Sequence, residues 1–116
     1  MTKIGEAAII EAALSGERGP DQKRIADTAI DWMATLLRKN ADYGSSAWKV
    51  PILAPTMSVG DAIMVRMTDK IERIASLLQR PAEVKSETLE DTVKDLVAYC
   101  LLWLARPKEE NDEQPR

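Results

Sequence analysis

Apolar and polar positions alternate with a helical period in two stretches of this chain, DAIMVRMTDKIERIASLLQR (residues 61–80) and SETLEDTVKDLVAYCLLWLA (86–105). At about 100° per residue, Ile63, Met67, Ile71, Ile74 and Leu78 fall within roughly 80° of one another and predict a core face. Arg66, Lys70 and Arg73 lie on one rim of that face, with Asp69 beside them. In the later stretch the predicted core face is Leu89, Val93, Leu96, Val97, Cys100 and Leu104. Glu87, Asp91, Asp95 and Tyr99 recur at every fourth residue. Asp91 and Asp95 point away from the core face, on a side that Ala98 and Leu102 continue as apolar. One helix therefore offers a row of cations and the other a row of carboxylates.

The same reading extends to the rest of the chain. Residues 2–15 predict a short helix, capped by Thr2 and closed at Ser15-Gly16, with Ile4, Ala8, Ile9 and Ile10 as apolar surface. Pro20 suits the first turn of a second helix over 21–40, in which Ile25, Ala29, Trp32, Met33 and Leu36 share a face. Asp27 and Asp31 lie across from that face near Arg24 and Arg38. They read either as a solvated face with local ion pairs or, should this helix lie beside the later acidic one, as metal ligands. About twenty residues, KNADYGSSAWKVPILAPTMSVG, then lack periodicity, and Asn40 and Gly44 suit a helix end and a tight turn. The segment is too apolar for disorder and predicts a lid or partner-contact loop. Ser58 is the expected cap of the third helix, which runs to about Leu78, and Ser86 that of the fourth, which stops at Arg106-Pro107. The expected fold is all-α: a bundle-like single domain of four helices over residues 1–106, followed by a polar tail, 107–116.

Composition narrows the chemistry. The chain has 116 residues and no His, which removes the usual general base and the commonest metal ligand. Its single cysteine, Cys100, excludes an intrachain disulfide and predicts a packing role. A net charge of −3 argues against a duplex-DNA binder, though a small phosphorylated ligand needs only two or three local cations. No apolar run reaches the ~18 residues of a membrane span, and acids interrupt the apolar N-terminus, so a cytoplasmic protein is expected. A second apolar side on the last helix (Ala98, Leu102) and the apolar loop predict a homo-oligomer, most simply a two-fold dimer, and three Trp leave apolar surface that one core does not hide. Trp48, in the loop, is the tryptophan expected to meet a ligand or another chain.

The order Lys39-Asn40…Tyr43-Gly44, Arg66…Asp69-Lys70…Arg73, Glu87…Asp91…Asp95…Tyr99 resembles the nucleotide modification associated domain 1 family over roughly residues 32–105. That family consists of small helical proteins met largely in phages and prophages and linked to nucleotide hypermodification. The resemblance implies that Lys39, Tyr43, Arg66, Asp69, Lys70, Arg73, Asp91 and Asp95 form one polar site. A more distant likeness is to the MazG-type all-α nucleoside triphosphate pyrophosphohydrolases, which hold Mg²⁺ with helix-borne acids. Their pattern pairs acids three apart, whereas Asp91 and Asp95 are four apart.

On these grounds Lys39, Arg66, Lys70 and Arg73 are candidates for phosphate, Tyr43 and Trp48 for base stacking, and Tyr99 for a further ligand contact. Asp69, Glu87, Asp91 and Asp95 are candidate Mg²⁺ ligands, with Asp91 or Asp95 as a carboxylate base if a bond is hydrolysed. Two other classes use the same residues. A non-enzymatic module would sequester a nucleotide, in a phage setting a host defence signal. A protein-interaction module would use the charges only as an interhelical ion-pair network.

Overall fold

The computed structural model describes residues 11, 19–43, 47–80 and 88–108, with the side chains of 42 and 43 left aside. These residues hold three helices: α1 (Pro20–Tyr43), α2 (Val59–Gln79) and α3 (Leu89–Ala105), and among them there is no strand. The chain is all-α. Apart from Glu11, which is helical, the helix expected over 2–15 lies outside the described residues, as do the cap Ser86 and the tail beyond residue 108. The chain divides into two compact units, Met1–Lys39 and Asn40–Arg116.

In the first unit, α1 starts as its sequence dictates. Pro20 occupies the first helical position, where its missing N–H is no loss, and the Gly19 carbonyl accepts from the Lys23 N–H at 3.2 Å. Lys23 pairs with Asp27 and Arg24 with Asp21, each at 3.0 Å and well exposed, so each contributes only tenths of a kcal/mol. The helix does not stop at Asn40. It continues to Tyr43, and the described part of the segment before α2 is residues 47–58. That part holds two successive turns, closed by Ala54 N–H to the Pro51 carbonyl (3.0 Å) and Met57 N–H to the Ala54 carbonyl (3.1 Å). Ile52 and Leu53 stand on the first turn, almost fully exposed.

In the second unit, α2 and α3 pack on each other as an antiparallel hairpin. Ser58 caps α2, its Oγ accepting from the Asp61 N–H at 3.0 Å. The cap of α3 is Thr88, whose Oγ1 accepts from the Asp91 N–H at 3.2 Å. The direction follows from the contacts. Gly60, at the start of α2, lies against Trp103 and Arg106 at the end of α3, while Lys70 in mid-α2 reaches Asp95 in early α3.

The interface is not the predicted one. Ile63 is buried and Met67 and Ile74 are half-buried as expected, but Ile71 and Leu78 are exposed; Arg66, Lys70 and Arg73 are half-buried, as rim positions are. On α3 the expected core residues Leu89, Val93, Val97 and Leu104 are exposed, while Leu96 and Cys100 are half-buried. Thr92 is buried, and Asp95, Tyr99, Leu102 and Trp103 are half-buried on the side facing α2. Asp95 thus turns toward α2, not away from it. Each helix is rotated about its axis from the expected contact line, so that Lys70 and Asp95 meet in a mixed seam beside the half-buried Met67, Ile74, Leu77 and Leu96. The buried Thr92 hydroxyl is satisfied, donating to the Thr88 carbonyl at 2.9 Å.

Candidate functional site

The seam of the hairpin collects the charged residues singled out above. Lys70 Nζ lies 3.2 Å from Asp95 Oδ2, with the two side chains 31% and 44% exposed. One turn along, the antiparallel register sets Arg66 of α2 level with Tyr99 of α3, and one turn the other way sets Arg73 level with Asp91 and Thr92. Helix periodicity puts Arg66, Arg73, Asp95 and Asp91 on the same side of the hairpin. Arg66 and Tyr99 are both half-buried, and among the described residues neither has a hydrogen-bond or ion-pair partner.

Trp48 reaches the same side from the loop. Its indole Nε1–H donates to the Leu102 carbonyl at 3.2 Å. That carbonyl belongs to the last turn of α3, where helical C=O groups lose their i+4 donors. The Arg106 N–H is directed to the Trp103 carbonyl at 3.4 Å, which leaves the Leu102 oxygen for Trp48. The bond therefore closes the helix end and pins the loop beside the seam.

The acids expected to share a metal are differently placed. Asp91 accepts from the Thr88 hydroxyl at 2.7 Å as part of the α3 cap, Asp95 is engaged by Lys70, and Asp69 is exposed. Among the described residues no three acidic or thiol side chains converge as a metal site. Glu87 lies outside the described residues, as does the Tyr43 side chain. Lys39 sits in the first unit, 5.5 Å above the Trp32 ring centroid, a cation–π contact within α1. Asp27 of α1 is taken by Lys23.

One cluster escaped sequence reasoning. Arg106, read as a mere helix stop before Pro107, is only 8% exposed. Its guanidinium carbon lies 3.9 Å from the Trp103 ring centroid, and Nη1 donates to the Trp103 carbonyl at 2.7 Å. A Cβ on Gly60 would meet Arg106 Nε at 3.0 Å and Trp103 Nε1 at 3.3 Å, so the glycine is what lets the two helix ends close. The available signal was the i, i+3 spacing of Trp103 and Arg106 at a helix terminus, which allows the arginine to fold back over the ring.

These features define a small all-helical domain whose hairpin carries a mixed-charge seam flanked by a pinned tryptophan. Residues 39–106 match the nucleotide modification associated domain 1 family, and the chain belongs to that family. No curated protein and no solved structure matches the chain. Among the described residues, no helix is long and apolar enough to cross a membrane.

Proposed function

We propose that the chain binds a phosphorylated nucleotide along the polar side of the α2–α3 hairpin, between Trp48 and Arg73. The observation that carries this reading is Arg66. A half-buried guanidinium has lost part of its hydration, and among the described residues no carboxylate replaces it. An anion arriving from solvent supplies the missing partner, and phosphate suits the bidentate fork of arginine. Lys70, already held by Asp95, provides a second cation, and Arg73 extends the row. Tyr99 offers a hydroxyl level with Arg66. Trp48 brings an aromatic ring to the same side, where a base can stack on it. Membership of a nucleotide-associated family supports the choice of nucleotide over other phosphorylated ligands.

Sequestration is favoured over hydrolysis by the state of the two candidate catalytic acids. Asp91 is committed to the helix cap and Asp95 to Lys70. A general base must be free to take a proton from water. Recognition in this reading rests on the cations, the tyrosine and the tryptophan, and a Mg²⁺ ion, if it takes part, would come with the ligand's phosphates.

The test is a thermal-shift screen of nucleoside mono-, di- and triphosphates and cyclic dinucleotides, each with and without Mg²⁺. A ligand that binds only the folded state raises the midpoint. A ligand present at 100 times its Kd stabilises by about 2.7 kcal/mol, and Arg66→Ala removes most of that response while leaving the ligand-free midpoint within about 0.5 kcal/mol. The absence of any shift across the screen, or an unchanged shift in Arg66→Ala, rejects the reading.

A further inference from the structure

We propose that the side of the hairpin opposite the charged seam is the docking face for a second copy of this chain, so that two hairpins close into an intermolecular four-helix bundle. The face is made by the residues that the rotation of the helices leaves outside. On α2, Met64, Ile71 and Leu78 recur every seven residues, and Ile71 and Leu78 are 54% and 70% exposed. On α3, Leu89, Val93 and Leu104 are exposed, Leu104 at 68%. Tracing both helices at about 100° per residue from their contact line places these two rows on the same side of the antiparallel pair. The register sets Leu78 beside Leu89, Ile71 beside Val93, and Met64 near the Leu104 end.

Three properties fit a second copy in particular. The seven-residue spacing is the one that lets helices pack ridge into groove over several turns, as in four-helix bundles. None of the six residues is charged, so the face selects no charged partner and is complementary to itself, as an interface about a two-fold axis requires. Its size is also suitable. A 17-residue helix is about 25 Å long, and two adjacent helices about 20 Å across, giving roughly 500 Å² per copy. With a polar rim this approaches the roughly 800 Å² per partner of a standard interface. The charged seam remains on the outer side of such a bundle, so this assembly and ligand binding are independent.

Sedimentation velocity on the full chain at micromolar concentration tests the proposal. A species of twice 12.9 kDa is expected. Ile71→Glu and Val93→Glu each weaken it by roughly 100-fold, because the two-fold desolvates the new carboxylate twice, and they do so with helical circular dichroism retained. Leu53→Asp, on the loop turn, leaves the dimer unchanged. A wild type sedimenting at 12.9 kDa overturns the proposal and gives the face to a segment of the same chain, as does a dimer lost in Leu53→Asp and kept in Ile71→Glu. Should the glutamate variants unfold, the wild-type melting midpoint decides. It rises with protein concentration for a dimer-stabilised fold, and a constant midpoint overturns the proposal.

Discussion

Lys70 and Asp95 keep 31% and 44% of their side-chain surface in water, and that exposure sets the strength of their pairing. A fully buried pair would leave several kcal/mol of uncompensated charge when one partner is removed, whereas screening here reduces the loss to under about 1 kcal/mol. Asp95→Asn is therefore expected to move the melting midpoint by no more than about 5 °C. In the same variant Lys70 is released, and Mg²⁺-free binding of a nucleotide tightens. A drop corresponding to about 3 kcal/mol, with weaker binding, would show that the pair fixes the fold and serves no ligand. The cation row itself was legible in the sequence, since Arg66, Lys70 and Arg73 fall on one stripe whatever the helix packs against. Which of them would lack a partner was not legible, because that depends on the register with α3.

At the scale of the element, the rotation of α2 and α3 has a cause in side-chain size. From Leu96 to Ala105, α3 is apolar around most of its circumference, so hydrophobic periodicity gives it little directional preference. Small residues then decide the contact line. Gly60 and Ala62 on α2 and Thr92 on α3 are buried in it and allow close approach, and Trp103 with Arg106 fills the end beyond them. Helix existence and the Ser58 cap were readable from local chemistry. The contact line was not, because it is chosen by fit between two helices. Gly60→Val tests this account. Helix propensity alone makes it harmless or mildly favourable. The side chain would instead push into Arg106 and Trp103, which hold each other by a stack and a hydrogen bond, and a loss of about 1–3 kcal/mol in urea unfolding is expected. A stability equal to wild type would mean that the two helix ends are loosely joined.

At the scale of the molecule, the family match begins at residue 39 and the second compact unit at Asn40. The hairpin with its loop is thus the part the family shares, and most of α1 belongs to the first unit. The sequence pattern pointed to a start near residue 32, inside α1, because helical periodicity runs through the boundary without a break and Tyr43 still lies in the helix.

The hairpin contacts are nested, and nesting orders events in time. Lys70 and Asp95 are separated by 25 residues, whereas Trp48 and Leu102 are separated by 54. Each inner contact shortens the loop that the next must close, so zippering outward from the connector is the entropically cheaper route. The outermost contacts, Gly60 against Arg106 and Trp48 on Leu102, then form last and open first. Native-state hydrogen exchange should show faster exchange at Ala62 and Arg106 than at Ile74 and Leu96, through openings that release the loop before the helices part. Uniform protection along both helices would mean that the hairpin opens as one piece.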